Sequence, residues 1–119
     1  MKIYVTHASS YDFKSELYAP LRNSKLNTAH EISLPHEKSS DQFSSRNFLL
    51  SQDVVLAEVS YPSTGQGIEL GWAESLGIPI VCIYKKGCTY SVSLTSVSSE
   101  FFEYENSEDL LVQLEKRLG

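Results

Sequence analysis

The stretch VVLAEVSYPSTGQGIELGWA, residues 54–73, decides the fold of this 119-residue chain. It opens with an apolar, β-prone run from Val54 to Ala57, which is typical of a buried parallel strand. Turn-forming residues follow, namely Ser60, Pro62, Ser63, Thr64, Gly65 and Gly67. A helix then carries Glu69 in or near its first turn, where free backbone amides favour a carboxylate. Because open α/β sheets bind ligands beyond the carboxyl ends of their strands, this segment predicts a ligand site.

Strand and helix signals alternate along the rest of the chain, as in a parallel sheet covered by helices on both faces. Further strands are predicted at residues 3–6, 31–34, 80–84 and 101–104. Together with the right-handed crossover rule, this order predicts an α/β fold that is flavodoxin-like (Rossmann-like) and forms a single domain over residues 1–119. Its five-stranded parallel sheet is expected to have the order 2-1-3-4-5.

Helix signals fill the connections between these strands. The first helix is expected to begin near Ser10 or Asp12 and to be kinked or ended early by Pro20. Others are predicted over about residues 42–50, from the glycine-rich turn to about residue 76, and over residues 107–118. Gly77 supplies the stop signal of the third helix.

Composition restricts the classes of partner and compartment. The formal net charge of −5 argues against nucleic acid or an anionic membrane as a partner. No apolar run approaches the roughly 20 residues of a membrane span, and the amino terminus does not resemble a signal peptide. The two cysteines, Cys82 and Cys88, predict neither a disulfide framework nor a metal site. We therefore expect a cytoplasmic protein without a metal or redox cofactor.

Residues 53–73 resemble the nucleoside 2-deoxyribosyltransferase superfamily, and within it the 2'-deoxynucleoside 5'-monophosphate N-glycosidases. The family pattern DVVVAEV, PS, G-x-G and ELG-x-A is followed without a gap by DVVLAEV, PS, GQG and ELGWA. The resemblance implies that Glu69 is the nucleophile that attacks the anomeric carbon of deoxyribose.

Further matches extend the resemblance beyond this segment. Tyr4 falls where the family has an active-site tyrosine. Ser63, six residues before Glu69, matches a serine that holds the 5'-phosphate. Ser93, 24 residues after Glu69, matches a second phosphate-binding serine that the family takes from the partner subunit, which implies a homodimer. Gly65 and Gly67 complete the implied phosphate site.

The sequence departs from the family pattern at two places. The family usually has an Asp eight residues before the third strand, where it transfers a proton to and from the base. Counting back from Asp53 gives Ser45, and Asn47 takes the place if the helix is two residues shorter. Neither side chain transfers a proton. The usual Gly-Ser after the first strand is replaced by His7, Ala8 and Ser9.

The loop SLPHEKSSD, residues 33–41, leaves the second strand at the ligand-binding edge of the sheet. Glu37 or Asp41 is the candidate replacement for the missing Asp, as a general acid whose pKa is raised by partial desolvation. His36 and His7 are candidates for contacts with the base or sugar. An ordinary solvated loop is the alternative for each of the loop residues.

Several other side chains have two open interpretations. Tyr61 interrupts the phosphate loop and either stacks on a base or closes the pocket, with a surface position at a dimer rim as the alternative. Lys85, Lys86 and Arg46 are candidate phosphate partners, with scattered surface charge as the alternative. The serine-rich segment of residues 90–99 is predicted to be an exposed flexible linker.

These features predict hydrolysis or transfer at the N-glycosidic bond of (deoxy)nucleosides or their 5'-monophosphates. The resemblance implies a covalent glycosyl-Glu69 intermediate and a small-molecule nucleoside or nucleotide as the partner. Two alternatives stay open. One is a TIR-like NAD hydrolase, in which a glutamate on a similar sheet also cleaves an N-glycosidic bond. The other is a catalytically weak nucleotide-binding or sensing module, which the missing Asp favours.

Overall fold

The computed structural model describes residues 1–38 and 46–119. The strands are β1 (Lys2–His7), β2 (Glu31–Ser33), β3 (Val54–Glu58), β4 (Ile80–Lys85) and β5 (Glu100–Tyr104). The helices are α1 (Ala19–Arg22), α2 (Lys25–Ala29), α3 (Arg46–Leu49), α4 (Thr64–Ser75) and α5 (Ser107–Leu118). A π-helical turn (Lys14–Tyr18) leads into α1, and a 3₁₀ turn (Val92–Ser96) lies between β4 and β5.

All strand pairs of the sheet are parallel, and their order is β2-β1-β3-β4-β5. The predicted fold class and strand order are confirmed. β1 and β3 lie side by side in the middle of this order, with Tyr4 beside Val55 and Thr6 beside Ala57. Their carboxyl ends therefore meet at the point where the strand order reverses, which is the usual ligand position in such sheets.

The core has two layers because successive strand residues point to opposite faces of the sheet. Ile3 and Val5 of β1 pack on one face with buried residues of α1 and α5. Tyr4 packs on the other face with Leu70 and Ala73 of α4. Helices thus cover both faces, as predicted, and the even-numbered residues of β1 face α4.

Helix α4 begins earlier than the sequence predicts. Ser63 is its N-cap, and the Ser63 hydroxyl accepts a hydrogen bond from the backbone N–H of Gln66 (3.3 Å). Gly65 and Gly67 are therefore helical and have no positive φ. Since Glu69 is the sixth residue of α4, it lies in the second turn, directly after the first turn in or near which it is expected from the sequence. Because the Ser63 side chain caps the helix, α4 begins at Thr64 and the loop before it is shorter than the sequence predicts.

The predicted end of α4 and the predicted start and early end of the first helix are confirmed. Gly77 follows the end of α4 with φ 75°, the left-handed conformation that glycine adopts without strain. Asp12 accepts a hydrogen bond from the backbone N–H of Ser15 (3.3 Å) at the start of the π-helical turn. Pro20 has no N–H to continue the hydrogen-bond pattern, and the helical segment ends two residues later at Arg22.

The prediction of a flexible linker at residues 90–99 is wrong. Leu94 packs against the α4 side of the core, and the Tyr90 ring stacks on Phe101 with centroids 4.2 Å apart. Hydroxyl groups of this segment form hydrogen bonds with nearby backbone groups. The Ser98 hydroxyl, for example, donates to the carbonyl of Ile80 (2.6 Å). Composition misled here because serine favours turns in ordered as well as in flexible segments.

A helix is predicted over residues 42–50. The part of it that lies within the described residues is observed as α3, Arg46–Leu49. Within residues 1–38 and 46–119, no helix is long and apolar enough to cross a membrane.

Candidate active site

The carboxylate of Glu69 is held between α4 and β1. The Tyr4 hydroxyl donates a hydrogen bond to Glu69 Oε2, and the Thr6 hydroxyl donates one to Glu69 Oε1 (2.7 Å). Tyr4 and Thr6 are both about 1% exposed, so their positions are fixed by packing. Each carboxylate oxygen retains a lone pair beyond the one engaged. The arrangement orients a carboxylate and leaves it able to attack.

Burial raises the pKa of Glu69, while the hydrogen bonds from Tyr4 and Thr6 and a positive charge on His36 lower it. The pKa of Tyr4 is raised by burial and by the neighbouring Glu69 charge, so Tyr4 stays a protonated donor. Glu69 is therefore a poorly solvated carboxylate held by two neutral hydroxyl donors. Such a group is more reactive than one surrounded by water.

Sequence reasoning missed two residues that build this site. Thr6 follows Tyr4 by two positions in a strand, so the alternation of side chains was a signal that both face Glu69. Gln66 is 5% exposed and its amide donates to the carbonyls of Thr6 (3.1 Å) and Glu58 (2.8 Å). Gln66 thereby ties the start of α4 to the ends of β1 and β3.

His7 lies in an aromatic cluster with both ring nitrogens hydrogen-bonded. Its Nδ1 contacts the carbonyl of Ala8 (2.7 Å), which only accepts, so Nδ1 carries a proton. Burial lowers the pKa of His7 and favours the neutral ring. Its Nε2 then accepts a hydrogen bond from the Tyr18 hydroxyl (2.6 Å). His7 is thus a neutral, buried side chain that replaces the small residue of the family pattern.

His36 lies next to this cluster and is partly buried. Its ring centroid is 5.7 Å from that of His7 and 5.9 Å from that of Phe13. Its backbone N–H donates to the Tyr18 hydroxyl (3.1 Å), which fixes the loop after β2 beside β1. The structure thus places this predicted contact residue beside the aromatic cluster that follows β1.

Glu37 does not have the environment expected of a general acid. It is exposed and forms a bidentate pair with Arg22, with Oε2 2.8 Å from Nε and Oε1 2.9 Å from Nη2. The hydrogen bonds from Arg22 lower the pKa of Glu37, so the prediction of a raised pKa is wrong. Glu37 still lines a cavity of about 300 Å³ together with Tyr4 and Phe48. Asp41 lies outside the described residues.

A second cavity, of about 580 Å³, lies beside the amino end of α4. Ser63, Gly67 and Ser93 line it, with Tyr61 at the same wall. The structure thus brings Ser63 and Ser93 of a single chain to one cavity, whereas the resemblance implies a partner's serine. A Cβ built on Gly67 would meet no atom within 4 Å, so the backbone here is open to a ligand. Gly65 is not part of the lining.

The three candidate phosphate cations have different surroundings. Lys85 pairs with Glu16 and donates a hydrogen bond to the Tyr61 hydroxyl (3.2 Å). Lys86 is exposed and pairs with Glu105 (3.2 Å). Arg46 is exposed in α3. Through Tyr61, Lys85 is the candidate linked to the second cavity.

The residues at the position of the family Asp lie on or before α3. Asn47 is exposed in this helix, and Ser45 lies outside the described residues. Within the described ranges, no group of three or more His, Cys, Asp or Glu side chains is arranged to hold a metal ion.

A five-stranded parallel sheet with the hydrogen-bonded Glu69 carboxylate beside its switch point is the architecture of this chain. The chain is similar over 98% of its length to the solved CMP N-glycosidase of Clostridium botulinum, with a TM-score of 0.70, 19% identity and 99% coverage of that chain. It is also similar to a 2-deoxyribosyltransferase from Bacillus psychrosaccharolyticus, with a TM-score of 0.63, 21% identity and coverage of 92% and 90% of the two chains.

Sequence similarity is concentrated in one stretch. The chain is 54% identical over 39 residues to the 5-hydroxymethyl-dUMP N-hydrolase of Rattus norvegicus. The match covers 33% of this chain and 24% of that protein, or about a quarter of its length. No protein-family model matches the chain. The predicted resemblance to the superfamily is confirmed, in fold along the chain and in sequence over the matched stretch.

Proposed function

We propose that this protein cleaves the N-glycosidic bond of a 2'-deoxynucleoside 5'-monophosphate, with Glu69 as the nucleophile. The observation that carries the proposal is the pair of hydroxyl donors from β1, Tyr4 and Thr6, on the two oxygens of the desolvated Glu69 carboxylate. The names of the relatives support the substrate class, since they are hydrolases, glycosidases and transferases of nucleotides or nucleosides.

The proposed reaction has two displacements at the anomeric carbon. A Glu69 oxygen attacks C1', and the bond from C1' to the base nitrogen breaks with its electron pair leaving on the base. Water, or a second base in a transfer reaction, then attacks C1' and releases Glu69. Two displacements give net retention of configuration. Tyr4 and Thr6 orient the carboxylate and share its negative charge before attack.

A proton must reach the departing base. Of the two carboxylates predicted for this role, Asp41 remains the proposal, because the pairing of Glu37 with Arg22 keeps Glu37 ionised. His36 is proposed to contact the base or sugar, which its position beside the His7 ring supports. The pH profile and base release of Asp41→Asn and His36→Gln test these two assignments.

The 5'-phosphate is proposed to lie in the cavity at the amino end of α4. Ser63, Gly67 and Ser93 line this cavity. Gly65 does not line it but lies in the first turn of α4, at the amino end of the helix. The positive end of the helix dipole favours an anion there. Glu69 follows the Ser63 cap by six residues, or about 9 Å along the helix axis, on the same helix.

Trapping of the intermediate is the direct test of this proposal. After rapid acid quenching, intact-mass analysis of the protein incubated with deoxynucleoside 5'-monophosphates should reveal a sugar-phosphate adduct on Glu69. The adduct and base release should both be absent in Glu69→Gln. Base release that persists in this variant would refute Glu69 as the nucleophile. Base release from NAD alone would favour a TIR-like hydrolase.

A catalytically weak nucleotide-binding module is the second candidate function. The neutral Asn47 on α3, or Ser45 before it, at the position of the family Asp favours it. Such a module would bind deoxynucleoside 5'-monophosphates in calorimetry without releasing base. The substitution Asn47→Asp restores a carboxylate and should leave the binding of deoxynucleoside 5'-monophosphates unchanged. A gain of base release in this variant would identify residue 47 as the position of the family Asp.

The assembly and location are also proposals. A homodimer is supported by two large apolar residues, Ile68 and Val92, which are 51% and 79% exposed and adjoin residues of the second cavity in sequence. Sedimentation of the wild type and of Ile68→Lys tests it, since a single monomeric species in both would contradict a dimer. A cytoplasmic location is supported by the two free cysteines, Cys82 and Cys88.

A further inference from the structure

We propose that the Tyr61 hydroxyl, held by Lys85, is a further phosphate-binding group of this site and gives the protein its preference for 5'-phosphorylated over unphosphorylated ligands. This inference rests on the proposed function for the location of the phosphate. It adds two residues that the phosphate-binding pattern of the resemblance does not contain. It also assigns Lys85 a role as a positioning residue, since Lys85 acts through Tyr61.

The hydrogen bond between Lys85 and Tyr61 has only one possible direction. The ammonium group of Lys85 has donors and no acceptor, so the oxygen of Tyr61 accepts this bond (3.2 Å). The hydroxyl proton of Tyr61 is therefore not used by Lys85. Among the described residues, Lys85 is the hydrogen-bond partner of the Tyr61 side chain, and that proton remains available to an incoming acceptor.

Tyr61 lies beside the proposed phosphate site. Tyr61 lines the second cavity together with Ser63 and Ser93. Hydrogen bonding of its oxygen to an ammonium group withdraws electron density and makes the hydroxyl a stronger donor. Tyr61, Ser63 and Ser93 are hydroxyl-bearing residues that line one cavity beside a helix amino end, and hydroxyl groups suit the oxygens of a phosphate.

Lys85 is anchored both at its backbone and at its ammonium group. At its backbone, its N–H donates to the Ser60 hydroxyl (2.8 Å), and that hydroxyl in turn donates to the buried carboxylate of Glu58 (3.0 Å). At its other end, Lys85 Nζ pairs with Glu16 and lies 4.6 Å from the centroid of the Tyr11 ring. The position from which Lys85 reaches Tyr61 is therefore set by the sheet.

The charge of Lys85 is retained in this environment. Burial by itself lowers the pKa of the ammonium group, but its contacts with Glu16 and Tyr61 raise the pKa overall. The ring of Tyr11 lies 4.9 Å from that of Tyr61 and supports it from the side. The hydroxyl of Tyr11 is buried and makes no hydrogen bond with the described residues. Tyr11→Phe is accordingly a matched control for Tyr61→Phe.

The test compares a deoxynucleoside 5'-monophosphate with the same deoxynucleoside. The values of kcat and KM are measured for Tyr61→Phe, Lys85→Met, Lys85→Arg and Tyr11→Phe. The dissociation constants of both ligands are measured by calorimetry in a Glu69→Gln background, which is independent of turnover. Loss of one hydrogen bond to a charged group should raise the KM and Kd of the monophosphate about tenfold in Tyr61→Phe.

The expected pattern separates a phosphate contact from a structural role. The deoxynucleoside values should change less than twofold in Tyr61→Phe. Lys85→Met should weaken monophosphate binding severalfold, Lys85→Arg should restore it, and Tyr11→Phe should leave it unchanged. Equal losses for both ligands in Tyr61→Phe, or an unchanged preference for the monophosphate, would overturn the inference. A protein that releases no base but binds monophosphates through Tyr61 would refute the proposed function alone.

Discussion

At the scale of the residue, the central feature is the conflict at Glu69 between burial and hydrogen bonding. Burial favours the protonated carboxyl group, and the donors Tyr4 and Thr6 favour the ionised one. A nucleophile must be ionised, so these donors set the lowest pH at which the proposed reaction proceeds. The side chains that touch Glu69 are therefore the ones that tune its reactivity.

The first prediction concerns Thr6→Val. Removing this hydroxyl deletes one of the interactions that lower the pKa of Glu69, so the pKa should rise further. Since activity is lost as pH falls through that pKa, the acid limb of the kcat/KM profile should move to higher pH. Thr28→Val, which changes an exposed threonine on α2, is the control and should leave the limb in place. An unmoved limb in Thr6→Val would contradict the role of Thr6.

The second prediction is that Glu69→Gln stabilises the fold. A carboxyl group whose pKa is raised on folding binds protons more readily in the folded state, so its ionisation costs stability above the unfolded pKa. An uncharged amide avoids that cost, and the melting temperature at pH 7 should rise by a few degrees. The gain should vanish below about pH 4.3, the unperturbed glutamate value. A variant less stable than the wild type at pH 7 would contradict this account of Glu69.

At the scale of the element, α4 supplies both the nucleophile and the cavity wall. Its start was misplaced from sequence because turn-forming residues dominate Ser60 to Gly67, and the capping role of Ser63 depends on the hydrogen bond that it accepts from Gln66. Its end was predicted correctly, because glycine is typical of the position after a helix, where φ is often positive, and Gly77 has a positive φ.

The third prediction compares Gly67→Ala with Gly71→Ala. A Cβ at either position meets no atom within 4 Å, so both substitutions should stabilise α4, by about 0.5–1 kcal/mol. Gly67 lines the second cavity and Gly71 does not. Calorimetric binding of a deoxynucleoside 5'-monophosphate should weaken severalfold in Gly67→Ala and stay unchanged in Gly71→Ala. Unchanged binding in both would place the phosphate elsewhere.

The fourth prediction uses the cap of α4 to change charge without losing the helix. Ser63→Asp keeps an N-cap acceptor and adds a negative charge that the helix dipole favours, so stability should be maintained. The same charge should repel a 5'-phosphate and lower kcat/KM for monophosphates at least tenfold while sparing deoxynucleosides. Ser63→Asn, a neutral cap of equal size, is the control. Equal activity of the two variants on monophosphates would exclude Ser63 from the phosphate site.

At the scale of the whole molecule, the sheet was predictable because its central strands have apolar runs and the connections among the first four strands carry helix signals. The short helix α2 was missed, since a five-residue helix leaves little periodic pattern. The resemblance assigned Tyr4 and Glu69 to one active site, and the structure places them in contact. The pairing of Glu37 with Arg22 was not predictable, because no local pattern fixes where two exposed side chains of different elements meet.

Release of free base is the measurement that tests the central claim most directly. The wild type and Glu69→Gln are incubated with deoxynucleoside 5'-monophosphates, deoxynucleosides and NAD, and the free base is quantified by chromatography. The account predicts base release from at least one deoxynucleoside 5'-monophosphate, faster than from its deoxynucleoside, and its loss in Glu69→Gln. Undiminished release in Glu69→Gln, or no release from any monophosphate by the wild type, would contradict it.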